Sequence, residues 1–310
     1  MRPGMVRPVS ESWYPGAVPP ERTCDIEVLG LRLRLHEWGD PSRTPVLLCH
    51  GLFDHARGFD ALAPRLATGF RVLALDARGH GDSDWADFYA WPADVDDIIR
   101  VLHWLGQPAH LVGHSRGGGQ VTDAAVRAPA WVRRVVNIDG FGPPPEGFRR
   151  PGVDAAERST PERMGMYLDR RRAAARRGSM PSYPSLDDLV ERRRAENPRL
   201  SLEWLRHLAF HGSRQTERGW TWKVDPYVIQ GFGPWRPEWI GPFWRRLQRP
   251  LLAVTGSEPE MWGPLPDAII DERLGGVADV KRAVVAGAGH FVHMEKPAET
   301  AELLLDFLER

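Results

Sequence analysis

Leu111-Val112-Gly113-His114-Ser115-Arg116-Gly117-Gly118-Gly119 is the stretch on which the reading of the fold turns. Ala109 to His114 is apolar enough for a buried strand, and residues 116 to 128 have helical spacing, so a G-x-S-x-G sits where a strand passes into a helix. A turn that tight leaves no room for side chains at its flanks, which is why glycine is needed on both sides of Ser115. The strain lifts the Ser115 hydroxyl clear of the backbone at the carboxyl end of the strand. The helix beneath adds a positive dipole end. Without that context the pentapeptide would be only a glycine-rich turn with a serine in it.

Working outward, the same apolar character recurs. Val46 to Cys49, residues 71 to 76, 132 to 140, 250 to 256 and 281 to 290 each read as a strand buried on both faces, the mark of a parallel sheet. Residues 24 to 38 alternate apolar and polar, with Gly30 at a turn, and read as a β-hairpin. Pro92 to Leu105 and Pro297 to Leu308 carry apolar residues at helical spacing. Strands alternating with helices predict an α/β fold: a doubly wound, mostly parallel, eight-stranded sheet.

The alternation stops between Phe141 and Leu247. We expect residues 145–245 to form an inserted, mostly helical cap on a core made of 1–144 and 246–310, with 1–22 an irregular, Pro- and Gly-rich arm. Residues 149–199 hold 13 arginines and no lysine. Runs such as Arg192 to Arg194 read as solvated helix faces, because acidic residues accompany them. Of 13 tryptophans, six lie in the second half of the insert. Most should pack the cap. A few, with Trp204, Trp222, Trp235 and Trp239 as candidates, would line an apolar pocket with Phe53, His114 and Phe291.

Charge is balanced, with 41 basic and 41 acidic residues. That argues against nucleic-acid binding and against a polybasic membrane surface, and leaves a small-molecule substrate as the expected partner. Two cysteines point to a reducing compartment and a cytoplasmic location. No leader-like apolar region opens the chain, and no stretch approaches the roughly 18 apolar residues of a membrane span. Neither a clustered metal-ligand spacing nor a phosphate loop occurs, so no metal and no cofactor is expected. Oligomeric state is not legible.

Two further loops complete the chemistry. His50-Gly51-Leu52-Phe53 ends the strand before the nucleophile strand, where Leu52 N–H and Arg116 N–H could together hold an oxyanion. Gly287-Ala288-Gly289-His290-Phe291 ends the last strand, where His290 could act on Ser115 as a general base. His114 and His293 fit that role less well and read as structural.

LLCHGLFDHARGFDALAPRLATGFRVLALDARGHGDSD, LVGHSRGGG and VAGAGHFVHMEKP together resemble the α/β-hydrolase superfamily, its esterase and epoxide-hydrolase-like branch. The likeness covers roughly 24–140 and 248–308, and YPSLDDLVERRRAENPRLSLEWL adds a fainter likeness to serine-hydrolase-like proteins. It implies the α/β-hydrolase fold, with Ser115 and His290 as a catalytic pair and Leu52 and Arg116 as oxyanion donors. A serine at the elbow sets the chain apart from the superfamily's epoxide hydrolases and haloalkane dehalogenases, which place aspartate there.

The triad acid is where the chain departs from its pattern. Most members place an aspartate three residues after the glycine ending the seventh strand. Here that glycine is Gly256 and the position holds Pro259, between Glu258 and Glu260. A minority take the acid from the end of the sixth strand, where Asp139 stands. Asp139 is preferred and Glu258 is the alternative. The expected activity is a carboxylesterase-like hydrolysis of a small hydrophobic or aromatic ester. Lactone, amide or C–C bond hydrolysis on the same triad is the first alternative, and a non-catalytic small-molecule binder the second.

Overall fold

The computed structural model describes residues 14–142, 160–177, 181–228, 237–261 and 263–310. In chain order these hold β1 (Arg22–Val28), β2 (Leu31–Trp38), β3 (Pro45–Cys49), α1 (Ala63–Leu66), β4 (Arg71–Leu75), α2 (Trp91–Leu105), β5 (Ala109–His114), α3 (Arg116–Arg127) and β6 (Val132–Ile138). The insert follows, with α4 (Thr160–Arg177), α5 (Leu186–Glu196), α6 (Leu202–His211), β7 (Ser213–Thr216) and β8 (Gly219–Trp222). Then come α7 (Ile240–Trp244), β9 (Leu251–Gly256), α8 (Asp267–Leu274), β10 (Val280–Val285), α9 (Val292–Glu295) and α10 (Pro297–Leu308).

Eight strands form one sheet in the order β1-β2-β4-β3-β5-β6-β9-β10. The pairings β1/β2 and β2/β4 are antiparallel and the others parallel. Period-two geometry sends successive side chains to opposite faces. Leu47, Leu73, Leu75 and Leu111 join one core, with Val95, Ile98 and Leu102 of α2 and Val121 of α3. Val46, Leu48, Val72, Ala74 and Val112 join the other, with Leu66 of α1 and Leu304 and Leu308 of α10. Burial on both faces explains why these strands are uninterrupted apolar runs.

After β4 the chain crosses to the far side of β3 to form β5, so the sheet order reverses between β3 and β5. Loops leaving two such strands diverge, which opens a crevice at their carboxyl ends. His50 follows β3 and Ser115 follows β5. This is the fold of an α/β hydrolase.

The insert is held partly by its own caps. Ser185 Oγ accepts from Asp188 N–H at 3.2 Å while the Asp188 carboxylate accepts from Ser185 N–H at 2.9 Å, closing a capping box on α5. Leu189, Val190, Trp204, Leu205 and Leu208 share a core with Ala61, Phe291 and Met294, so α5 and α6 pack directly on the body that carries the sheet. The insert contains the β7–β8 hairpin as well as helices. Ile240 and Trp244 of α7 belong to the same core as α3 and α8, and Trp244 Nε1 donates to Asp123 at 2.8 Å. Their apolar side chains fill the space beside α3. Most of the Pro/Gly entry after Phe141 lies outside the described residues. Among the described residues no helix is long and apolar enough to cross a membrane.

Candidate active site

Ser115 stands between β5 and α3 at φ +52°, ψ −121°, a conformation that L residues rarely adopt. Its own N–H donates to Ile138 carbonyl at 2.8 Å, which fixes the turn against the end of β6. The neighbouring glycines are there because main chain passes too close for a Cβ. One added to Gly117 would collide with the carbonyls of Cys49 and His50, and one on Gly113 would collide with Gly117 carbonyl. Among the described residues four non-glycines have positive φ: Leu29, Phe53, Ser115 and Asp139. Three of the four lie where β3, β5 and β6 end, so backbone strain is concentrated in this crevice.

His290 is buried, and its Nδ1 lies 2.6 Å from Asp139 Oδ2. A carboxylate in that position makes Nδ1 the protonated nitrogen and leaves Nε2 as the basic one. Asp139 is itself buried, held at φ +48° with its N–H on Val254 carbonyl at 2.8 Å. Asn137 braces the turn after it, accepting from Gly140 N–H at 2.8 Å and donating back to Gly140 carbonyl at 3.2 Å. Of the two acids weighed from the sequence, Asp139 touches His290. Glu258 accepts from Ser257 hydroxyl at 2.9 Å instead.

Glu260 was passed over as a flank of Pro259, yet its Oε1 accepts from the His290 backbone N–H. Half-burial raises its pKa, opposed by that hydrogen bond. Glu295 accepts from Gly289 N–H at 3.0 Å, so two carboxylates hold the histidine loop by its backbone. Gly263 covers Asp139 so closely that a Cβ there would collide with Asp139 Oδ2. Only a structure could show this, because the register of a loop after a strand is not written in periodicity.

Arg116 follows Ser115 in the chain, and Gly51, next to Leu52, comes so close that a Cβ there would lie 3.2 Å from Ser115 Cβ. Arg116 opens α3, so its N–H has no partner within the helix. Leu52 packs beside Phe53 against Tyr89, Tyr167, Tyr227 and Val228. His50 Nδ1 donates to Gly51 carbonyl at 2.7 Å while Nε2 accepts from Ala77 N–H at 3.1 Å, and burial lowers its pKa so that the ring stays neutral. The Arg116 guanidinium is paired with Asp94 on the first turn of α2. Beside them Arg78 forks onto Asp97 with both contacts at 2.6 Å. Burial pushes Asp94 up to about 6, against the pull of Arg116 and Arg78.

Four of the pocket candidates have other contacts. His114 lies under the site rather than in it: it is buried, its Nε2 donates to His290 carbonyl at 2.9 Å, and burial lowers its pKa well below the ordinary value. Trp204 stacks on Tyr14 at 4.2 Å and donates to Met294 carbonyl at 2.7 Å, so its ring is packed between insert and core. Trp239 is 51% exposed. Phe291 is buried against His114 and His290. Trp222 lines, with Phe53, His55 and Leu208, a cavity of about 10 Å³, too small for an acyl group, and Trp235 lies outside the described residues. Leu52 packs against a cluster that includes Tyr89, Tyr167 and Tyr227.

Among the described residues two clusters bring together ligand types that metals use: Asp60, His207 and His211, and His36, Asp76 and Asp82. In the first, Arg57 already supplies the cation, lying 2.6 Å from Asp60 and 3.2 Å from His211 Nδ1. In the second, the Asp76 carboxylate accepts from Ala56 N–H at 2.7 Å, Asp82 N–H at 2.9 Å and His36 Nε2 at 3.1 Å, which ties loops to the sheet edge.

Comparison with known proteins agrees with this geometry. The sn-1-specific diacylglycerol lipase ABHD11 of Xenopus laevis is 29% identical over 282 residues, covering 86% of this chain and 80% of that protein. The bifunctional epoxide hydrolase 2 of Rattus norvegicus is 26% identical, covering 90% of this chain and 54% of that protein. Among solved structures, a thioesterase domain from the curacin biosynthetic pathway superposes with a TM-score of 0.78 at 25% identity, covering 92% of this chain and 99% of that domain. The model of the alpha/beta hydrolase family matches residues 46–303, most of the chain. With the strained serine turn, the histidine loop and the reversed sheet order in place, the chain belongs to the alpha/beta hydrolase family.

Proposed function

We propose that this hydrolase cleaves a small hydrophobic or aromatic ester through an acyl-enzyme on Ser115. His290 Nε2 takes the Ser115 proton as Oγ attacks the ester carbonyl. The tetrahedral oxyanion is held by the N–H groups of Leu52 and Arg116. His290 then protonates the leaving alcohol, activates a water on the acyl-enzyme, and returns the proton to Ser115 as the acid departs. Asp139 holds the ring tautomer and stabilises the imidazolium without taking the proton.

The observation that carries the reading is the contact between Asp139 Oδ2 and His290 Nδ1 at 2.6 Å, at the same sheet edge where Ser115 is held at φ +52°. The apolar preference rests on Leu52 and Phe53 lying among Tyr89, Tyr167 and Tyr227. Names of relatives, a diacylglycerol lipase and a thioesterase domain, favour acyl transfer. The same triad would also serve thioester, lactone or amide cleavage.

The test is labelling by a fluorophosphonate together with turnover of p-nitrophenyl esters. Ser115→Ala should abolish both. Asp139→Asn should lower kcat about 10³- to 10⁴-fold, because the ring tautomer is lost. Glu258→Gln should change little. Undiminished labelling of Ser115→Ala would refute the assignment, and preference for short anionic esters would refute the substrate class.

A further inference from the structure

The arginine run 192–194 reads in sequence as a solvated face, and for Arg192 and Arg194 it is one. Arg193 differs, at 8% exposed. Leu189, Val190, Arg193 and Asn197 are the buried positions of this stretch, spaced three and four apart, so α5 turns Arg193 inward along its apolar stripe. A buried guanidinium is costly unless its donors are used. Here Nη1 donates to Phe53 carbonyl at 2.7 Å, and Nη2 faces Asp54 Oδ1 at 3.7 Å.

Phe53 is the residue after Leu52 and holds φ +61°. A left-handed conformation in a bulky residue is strained and persists only where surrounding contacts impose it. The contacts come from the insert. Arg193 fixes the Phe53 carbonyl, His55 Nε2 donates to Leu208 carbonyl at 3.0 Å, and His207 Nε2 donates to Arg57 carbonyl at 3.0 Å. The loop after β3 is therefore tied to α5 and α6 at three successive points, and the first of them is adjacent to Leu52. Behind Arg193 lies a cavity of about 10 Å³, room for one water and too small for an acyl group. Its walls include Asp54 and His55, and Asp54 Oδ2, Arg193 Nε and His55 Nδ1 have no hydrogen-bond partner among the described residues.

The geometry points to Arg193 as a positioning residue that acts through the Phe53 carbonyl to set the Leu52 N–H for the oxyanion. This rests on the reading of Ser115 as nucleophile. An oxyanion donor works only where it is already aimed at the developing charge, and loss of one donor costs about 10²- to 10³-fold in kcat. Arg193 thus makes the oxyanion site dependent on α5 being docked: an insert that lifts away takes the brace of the Phe53 carbonyl with it.

Two measurements on the full chain test it. In turnover of p-nitrophenyl butyrate, Arg193→Met should lower kcat about 30- to 100-fold with KM within about threefold, since the interaction is made through the protein and not to bound ester. Arg193→Lys should recover about tenfold of that loss, because an ammonium also donates to Phe53 carbonyl. In amide hydrogen exchange, Asp54 N–H, which donates to Gly51 carbonyl at 3.3 Å, should exchange at least about tenfold faster in Arg193→Met. If Arg193→Met does not fold, the lysine variant carries both readouts, with kcat about three- to tenfold below the parent and faster loop exchange. Unchanged kcat, or a rise in KM confined to an anionic ester such as p-nitrophenyl hemisuccinate, would overturn the inference and make Arg193 structural or a reader of substrate charge. Should the parent hydrolyse no ester and take no fluorophosphonate label at Ser115, the Ser115 reading fails by itself. Exchange at residues 51–55 then decides alone, faster exchange sustaining the brace and unchanged exchange overturning it.

Discussion

A Cβ on Gly113, Gly117 or Gly140 would strike main-chain atoms, whereas the loops that face Ser115 are held by the side chains of Arg193, Glu260 and Glu295. On the nucleophile side, backbone presses on backbone and nothing can yield. On the facing side, single hydrogen bonds from charged groups hold the loops. The difference teaches where change is tolerated. Substitution at the turn should be all-or-none, and substitution around it should be graded.

Gly117→Ala puts the largest strain on that comparison. Its Cβ would run into the carbonyls of Cys49 and His50, so β3 and α3 must separate. Overpacking against yielding side chains costs about 1–3 kcal/mol, and main chain at a sheet's centre yields less. We expect turnover to fall more than about 10³-fold, with a loss of several degrees in Tm. Gly165→Ala is the control, since nothing lies within 4 Å of the added atom and alanine favours α4 by about 1 kcal/mol. Appreciable turnover in Gly117→Ala would show that the turn adjusts, and the contrast would fail.

The turn side was legible in sequence and the facing side was not, for one physical reason. Gly113, Ser115 and Gly117 are adjacent in the chain, so a local pattern records a local constraint. The strands were legible too, because Val46 to Cys49 and Leu111 to Val112 are buried on both faces and must be apolar throughout. Asp139 and His290 are 151 positions apart, and nothing local says which carboxylate the fold will bring to Nδ1. Glu260 escaped notice because it acts on a backbone N–H, which has no sequence signature. Arg193 reads as solvent-facing because its charge runs against its position. The spacing of Leu189, Val190 and Arg193 on one stripe was visible, but a guanidinium there reads as solvent-facing until its acceptor, Phe53 carbonyl, is known.

On the facing side the expected losses are graded. Glu260→Ala removes the acceptor of the His290 N–H and leaves Glu295 on Gly289. With one of two anchors gone, His290 should spend less time aligned, and kcat should fall about tenfold, equivalent to about 1.4 kcal/mol. Glu260→Gln should lose far less, since an amide oxygen accepts the same hydrogen bond. Steady-state kinetics on both variants separates the cases. Equal losses would mean that the charge, not the anchor, is what His290 requires.

The smallest effect is expected where the nucleophile side does own a charged contact, Arg116 with Asp94. If backbone packing alone holds the turn, Asp94→Asn should leave kcat within about threefold and show itself in stability instead. Burial raises Asp94 to about 6, so between about pH 4 and 6 the folded protein keeps a proton that the unfolded chain has released. The stability this contributes is complete below about pH 4 and is lost as pH rises through 6, up to about 3 kcal/mol or roughly 5 °C. Asparagine has no proton to lose over that window. The Tm of the parent minus that of Asp94→Asn should therefore shrink as pH is raised from 4 to 7. A pH-independent gap accompanied by a tenfold fall in kcat would instead place the Arg116 side chain among the groups that hold the oxyanion donor, and the two sides of the site would then be braced alike.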